Sequence, residues 1–265
     1  MALRIVELHG YATLQGPRHE GFLKFGVPLG GAFDVPSWRL GNRVVGNDPE
    51  AVGLELALCR MVIRAEGQVV VALTGALTDA RQDRLPVKRG TPIWMQPGMT
   101  LTVGVPTVGM LVYIAVRGGL AYESVQTEML RADTLLAAGT TMPEQPTVAQ
   151  VPPLSATPTL EVIAGPQADM FDTSGLFTES FEVTRAIDRR GLRLQGPALA
   201  GYREIESEPC CAGAIQVTRD GQLIVIGPDG PTVGGYPKVA VLTEESLARV
   251  SQCRPGERIR FEVRR

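Results

Sequence analysis

Short runs of alternating or β-branched residues, each ended by glycine or proline, limit what this chain can fold into more than any other feature. Ala2 to Leu8, Val69 to Thr74, Leu101 to Val105, Leu111 to Val116, Leu160 to Ala164, Leu223 to Ile226 and Arg258 to Val263 have strand length and strand chemistry. With 30 glycines and 20 prolines interspersed, the backbone must turn repeatedly, which is the pattern of barrels or sandwiches. The expected class is mainly β, with few short helices. One helix is predicted from an Asp34 N-cap through Trp38 and Asn42 to Val45, stopped by Gly46-Asn47. Another follows Thr243, whose hydroxyl caps it while Glu244 and Glu245 complement the first-turn dipole, and a short helical turn follows Pro166.

Between Thr140 and Thr159 the composition shifts to Pro143, Pro146, Pro152, Pro153 and Pro158 interleaved with threonine, the signature of an extended linker. The expected organisation is therefore two-lobed: an N-terminal β domain over 1–139, a linker over 140–159 and a C-terminal β-barrel domain over 160–265. Pro97-Gly98 and Pro255-Gly256 each launch an alternating strand, a faint internal echo that hints at two related barrels.

Composition excludes several function classes. Charged residues make up 20% of the chain, aromatics 5%, and the formal net charge is -2, with no basic stripe for nucleic acid. No run approaches the ~18 apolar residues of a membrane span. The N-terminus reads as a first strand rather than a signal peptide, so the expected compartment is the cytosol. Cys59, Cys210, Cys211 and Cys253 match no metal-ligand spacing, and only His9 and His19 are available, so no metal site is expected. Chemistry must rest on Asp, Glu, Arg, Lys, Tyr and backbone N–H groups.

Glycine-rich bends are the candidate sites. After Gln222 to Ile226, the Gly227-Pro228-Asp229-Gly230-Pro231 turn leads to Thr232-Val233-Gly234-Gly235-Tyr236-Pro237-Lys238. There Gly234 and Gly235 allow N–H groups to converge on an anion or carbonyl, and Tyr236 and Lys238 add an aromatic face and an ammonium. A hairpin loop whose glycines serve only the turn is the alternative. Gly30 and Gly31, before Asp34, precede a helix start that would attract a carboxylate or phosphate, or merely form the bend that Asp34 caps. Gly118-Gly119 carries the same ambiguity. Arg189, in Asp188-Arg189-Arg190-Gly191, has the planar fork to clamp a carboxylate or carbamate, and Gln216 has an amide suited to recognising another amide. No G-x-x-x-x-G-K-[ST] loop and no strand-G-x-G-x-x-G-helix unit occurs, so a familiar nucleotide fold would not be what binds ATP.

Taken together and in order, Gly26-Val27-Pro28-x-Gly30-Gly31-Ala32-x-Asp34, Val45-Gly46-Asn47, Leu54-Glu55, Thr74-Gly75-Ala76, Ala115-Val116-x-Gly118-Gly119, Gly165-Pro166-Gln167, Asp188-Arg189-x-Gly191-x-Arg193-Leu194, Gly213-Ala214-Ile215-Gln216 and Gly234-Gly235-Tyr236-Pro237-Lys238 resemble the biotin-dependent carboxyltransferase family, also called allophanate hydrolase subunit 2. The resemblance covers almost the whole chain. It implies cyclophilin-like barrels, a small amide substrate and a companion subunit of the allophanate hydrolase subunit 1 type, with a third subunit beside them. The leading function it implies is a subunit of an ATP-dependent 5-oxoprolinase, with ATP used by the complex. The alternatives are carboxyl transfer to urea or a related amide, with biotin on a separate carrier, and a non-catalytic regulator of a kinase-inhibitor partner. No Met-Lys occurs here, so biotin would have to come from elsewhere.

Within that resemblance the expected catalytic residues are Arg189, Asp229 and Tyr236, with Asp229 or Tyr236 handling a proton. The expected substrate-binding residues are Gly30, Gly31, Asp34, Gly118, Gly119, Gln216, Gly234, Gly235 and Lys238. The chain departs from the family pattern before Gly26, where Gln15-Gly16-Pro17-Arg18-His19 lacks an expected Asp, and at Val125-Gln126-Thr127-Glu128-Met129, Ile187 and Pro231. Three of these changes remove polar groups from expected site loops, which points to altered substrate or lost activity.

Overall fold

Side-chain alternation decides which face of each strand is buried, and it divides this chain into two cores. The structure, a computed structural model, describes residues 2–121, 129–139, 144–155 and 157–264. Among the described residues strands hold 42% and helices 12%, so the mainly β expectation holds. Among the described residues no helix is long and apolar enough to cross a membrane.

Two compact units form, Met1–Pro17 with Asp34–Leu154, and Arg18–Phe33 with Ser155–Arg265. The boundaries differ from the expected ones in two places. Residues 18–33 leave the N-terminal part of the chain and belong to the second unit. The expected linker belongs largely to the first: Glu144, Thr147 and Ala149 donate backbone hydrogen bonds to Gly46, Val44 and Gly90, and Leu154 packs on the first core. Residues 144–155 form no strand of their own, and their free backbone groups pair with the chain they pass.

The first unit is a nine-stranded sheet that curls without closing. Its strands are β1 (Ala2–Gln15), β2 (Gly53–Ala65), β3 (Val69–Leu77), β4 (Ala80–Gln82), β5 (Leu85–Pro86), β6 (Ile93–Met95), β7 (Thr100–Val103), β8 (Val108–Val116) and β9 (Leu135–Ala137). The order is β5-β4-β7-β2-β8-β3-β6, with β1 pairing β2 and β9. One face carries the main core, including Leu3, Ile5, Leu54, Leu56, Ile63, Leu73 and Ile114. Each such side chain contributes about 1.5–3 kcal/mol on burial. The other face receives helix α1 (Val35–Val44), whose Val44 meets Val70, Ala72 and Ala115 in a second cluster with Val45. Asp34 caps this helix as expected, accepting from the Ser37 amide at 3.0 Å.

The second unit is a closed seven-stranded barrel. It is built from β10 (Thr159–Ala164), β11 (Phe181–Asp188), β12 (Gly191–Gln195), β14 (Ala214–Val217), β15 (Leu223–Ile226), β17 (Lys238–Leu242) and β18 (Arg258–Val263). The order is β10-β17-β14-β15-β12-β11-β18, and a parallel pairing of β10 with β18 closes the ring. Alternate residues fill it, among them Leu160, Val162, Leu192, Leu194, Val225, Ile259 and the pair Phe181 and Phe261, whose ring centroids lie 5.6 Å apart. Helix α2 (Ser174–Thr178) buries Leu176; α3 (Glu244–Ser251) begins where Thr243 accepts from the Ser246 amide and buries Leu247 and Val250. Two-residue strands β13 (Glu208–Pro209) and β16 (Val233–Gly234) pair with each other as a ribbon separate from the ring.

Candidate functional site

In the second unit the turn between β11 and β12 places Arg189 beside the loop that leaves β15, because β12 and β15 are paired neighbours. Backbone bonds lock the two loops: Gly227 N donates to Arg190 O at 2.9 Å and Asp229 N to Arg189 O at 3.0 Å. The side chains then meet directly. Arg189 Nε donates to Asp229 Oδ2 at 2.7 Å and Nη2 to Asp229 Oδ1 at 2.9 Å, while Nη2 also reaches the Gly31 carbonyl at 2.7 Å. Gly30 N donates to Pro228 O at 2.9 Å. The structure thus gathers Gly30, Gly31, Arg189 and Asp229 from three separate stretches. It also joins Arg189 and Asp229, expected to act separately, into one bidentate pair.

A second cluster forms where Lys238 of β17 stands opposite Gln216 of β14. Lys238 is only 4% exposed and its Nζ donates to Glu208 Oε1 at 2.5 Å. Gln167 Nε2 donates to that same oxygen at 2.8 Å, and Gln167 Oε1 accepts from the Lys238 amide at 2.9 Å. These donors hold the Glu208 carboxyl below its usual range, the Lys238 hydrogen bond first and the Gln167 bond second. Gln216 is buried, with its Nε2 3.6 Å from Cys210 Sγ. Gly234 passes so close that a Cβ there would lie 2.9 Å from Gln216 Nε2, which gives the glycine a packing reason. Burial pushes the Cys210 thiol up, against a smaller opposing pull from Lys238. Gly235 and Tyr236 follow on the loop into β17, and Tyr236 is exposed.

The remaining expected residues lie in the first unit and are committed to the fold. Asp34 caps α1, Gly118 N donates to Asn47 Oδ1 at 2.8 Å, and Gly119 N donates to Val116 O at 2.8 Å. There the glycine N–H groups complete turns rather than converge on a shared point. Nearby, Thr13, Glu55, Tyr113 and Thr74 stand as successive cross-strand partners, all buried. Tyr113 Oη donates to Glu55 Oε2 at 2.7 Å and accepts from Asp34 N at 2.8 Å. Burial first, then the carboxylates of Glu55 and Asp34, raises the Tyr113 phenol well above its ordinary value.

Sequence reasoning did not single out Glu208, Gln167, Glu55 or Tyr113 as site residues. Glu55 had a signal, a lone carboxylate between Leu54 and Leu56 in an apolar strand. Glu208 had none, since it ends an acidic, loop-like run beginning at Glu204. Among the departures from the family pattern, Ile187 pairs with Leu192 in the β11–β12 ladder and Pro231 is exposed, whereas 125–128 lie outside the described residues.

Comparison with known proteins gives these loops a context. A family model described as carboxyltransferase domain, subdomain A and B, matches residues 25–263. The chain is 30% identical to the C component of Escherichia coli 5-oxoprolinase, covering 98% of this chain and 90% of that protein. It is 28% identical to urea amidolyase of Lachancea kluyveri, over 98% of this chain but only 17% of the relative's length. The crystal structure of Kluyveromyces lactis urea carboxylase superposes with a TM-score of 0.93 at 26% identity, covering 98% of this chain and 27% of that one.

Proposed function

This chain belongs to the carboxyltransferase domain, subdomain A and B, family, and from that premise we propose that it is the C-type component of an ATP-dependent 5-oxoprolinase, opening the cyclic amide to glutamate with companion subunits in the cytoplasm. The observation that carries this reading is reciprocal coverage: 98% of this chain aligns with 90% of the Escherichia coli 5-oxoprolinase component. Against the urea amidolyase it accounts for only 17% of the relative.

Opening 5-oxoproline breaks the bond between the lactam carbonyl carbon and the ring nitrogen. Water supplies the oxygen that joins the carbon and the proton that leaves with the nitrogen. The barrier lies in building negative charge on the carbonyl oxygen, and donors aimed at that oxygen lower it by several kcal/mol. In this reading Gln216, with the backbone near Gly234 and Gly235, faces amide or carboxylate oxygens of the substrate. Tyr236, exposed on the same loop, passes the proton to the nitrogen. Arg189 and Asp229 hold the loop between them and the Gly30-Gly31 bend in place, and Asp229 acts through Arg189.

In this reading the nucleoside triphosphate is not bound by the candidate loops. The one lysine of the candidate loops, Lys238, is buried and paired with Glu208, so it does not resemble a phosphate-loop lysine. ATP therefore belongs to a companion protein in this reading. The test is reconstitution with a companion of the allophanate-hydrolase-subunit-1 type and a third subunit: 5-oxoproline should drive ATP hydrolysis, with glutamate formed in step, and complete reconstitution without either product would end the proposal.

The likeness to urea carboxylase favours a second reading, carboxyl transfer to urea or a related amide from biotin on a separate carrier. Co-purification of a biotinylated partner together with bicarbonate-dependent carboxylation would select it over the first.

A further inference from the structure

A buried ammonium persists only where an anion meets it, because an unpaired charge is strongly disfavoured in a low-dielectric interior. The Lys238 side chain is 5% exposed, whereas the Glu208 side chain that meets it is 36% exposed. The lysine is therefore part of the barrel wall and the carboxylate reaches it from the rim. Gln167 is equally fixed. Its carbonyl accepts from the Lys238 amide, and its own amide N donates to the Lys238 carbonyl at 3.2 Å, which leaves Nε2 aimed at the oxygen that Lys238 Nζ also holds.

Gln216 completes the arrangement. It is 4% exposed and stands in register with Lys238, and its Nε2 has a thiol at 3.6 Å as acceptor, a far weaker partner than an oxygen. Two side-chain donors, Lys238 Nζ and Gln167 Nε2, thus hold one oxygen of a carboxylate, and a third, Gln216, lies in register beside Lys238. That carboxylate has a slight tether. Glu208 sits on a strand of two residues paired with two others, and residues 201–207 before it form neither helix nor strand.

We propose that Lys238, Gln167 and Gln216 form a cradle for the carboxylate of a small carboxylic acid, and that Glu208 fills this cradle until such a ligand displaces it. The inference deepens the reading above by giving the carboxylate of 5-oxoproline a place, so it rests on that reading for the identity of the acid. An internal occupant lowers apparent affinity by the fraction of time it holds the site, so one bound nine-tenths of the time costs about tenfold.

Calorimetric titration of the full chain with three probes tests this: 5-oxoproline, propionate as a bare carboxylate, and 2-pyrrolidone as the same ring without its carboxylate. Glu208→Ala, and Glu208→Gln as the closer isostere should the first variant lose its fold, should bind 5-oxoproline and propionate about tenfold more tightly than the parent. Affinity for 2-pyrrolidone should not change. Adding Lys238→Met to Glu208→Ala removes both charges together, avoiding an unpaired buried ion, and should abolish the gain. Unchanged or weaker carboxylate binding in the folded Glu208 variants, no binding to any variant, or an equal gain for 2-pyrrolidone would overturn the cradle. Binding by the chain alone needs neither ATP nor companions. Carboxylate binding without turnover in the complex counts against the oxoprolinase reading alone, and turnover without Glu208-dependent binding counts against the cradle alone.

Discussion

Arg189 and Asp229 meet edge to edge, with Nε 2.7 Å from Oδ2 and Nη2 2.9 Å from Oδ1, although each lies on a different loop of the barrel. The two side chains are 19% and 25% exposed, so the pair is shielded enough for its geometry to matter. The same guanidinium reaches the Gly31 carbonyl, and one residue therefore ties three chain segments together. Coupling in a double-mutant cycle of Arg189→Ala and Asp229→Asn should be about 1–2 kcal/mol by denaturant unfolding. Arg189→Lys, which keeps the charge but not the fork, should recover less than half of it. Additive single effects would show that the pair is incidental.

Tyr113 lies in a buried row with a carboxylate on one side and a helix start on the other. Tyr113→Phe removes the donor to Glu55 and the acceptor for the Asp34 amide, and should cost about 3 kcal/mol of stability. The fold raises this phenol's pKa, so below the unfolded value of about 10 its contribution is complete. Above that value the unfolded chain loses its proton first, and stability should fall as pH rises. Tyr113 should yield phenolate absorbance only together with unfolding. A Tyr113→Phe variant with the same alkaline transition as the parent would refute this.

The extended segment beginning at Glu144 should depend on Gly90. Gly90 has φ +75° and accepts from the Ala149 amide, and a Cβ there would lie 2.1 Å from the Ala149 carbonyl oxygen. Gly98 has a similar φ of +87° but nothing within 4 Å. Both alanine variants bear a strain of about 1–3 kcal/mol, yet only Gly90→Ala should also speed hydrogen exchange at Thr147 and Ala149. Equal exchange in the two variants would mean that the segment is not held there.

Thiol chemistry separates the four cysteines. Burial pushes Cys59 up to about 11 and Cys253 up to about 12, and it raises Cys210 as well, whereas Cys211 is exposed. At neutral pH an aromatic disulfide reagent should modify Cys211 rapidly and the other three only on unfolding. The fast phase should vanish in Cys211→Ser. A second rapid thiol in that variant would contradict the burial described.

Much of the architecture was legible along the chain because strand alternation and caps are local. The run from Leu223 to Ile226 became a strand with the same ends, Asp34 and Thr243 capped the two longer helices, and both Pro-Gly turns launched strands. The boundary was misplaced because composition records stiffness and not destination. Residues 144–155 of the proline-rich segment form neither helix nor strand, and where such a chain docks depends on which edge is open to it.

By itself the sequence determined the β class, the turns and the family, since each rests on residue types in order. Only the tertiary structure decided partnership. It joined Arg189 to Asp229, brought Glu208 to Lys238 and Gln167, and committed the amides of Gly30, Gly118 and Gly119 to backbone and side-chain acceptors. Such pairings follow from strand register and barrel closure, which bring distant residues within a few ångströms and leave no local signature in the chain.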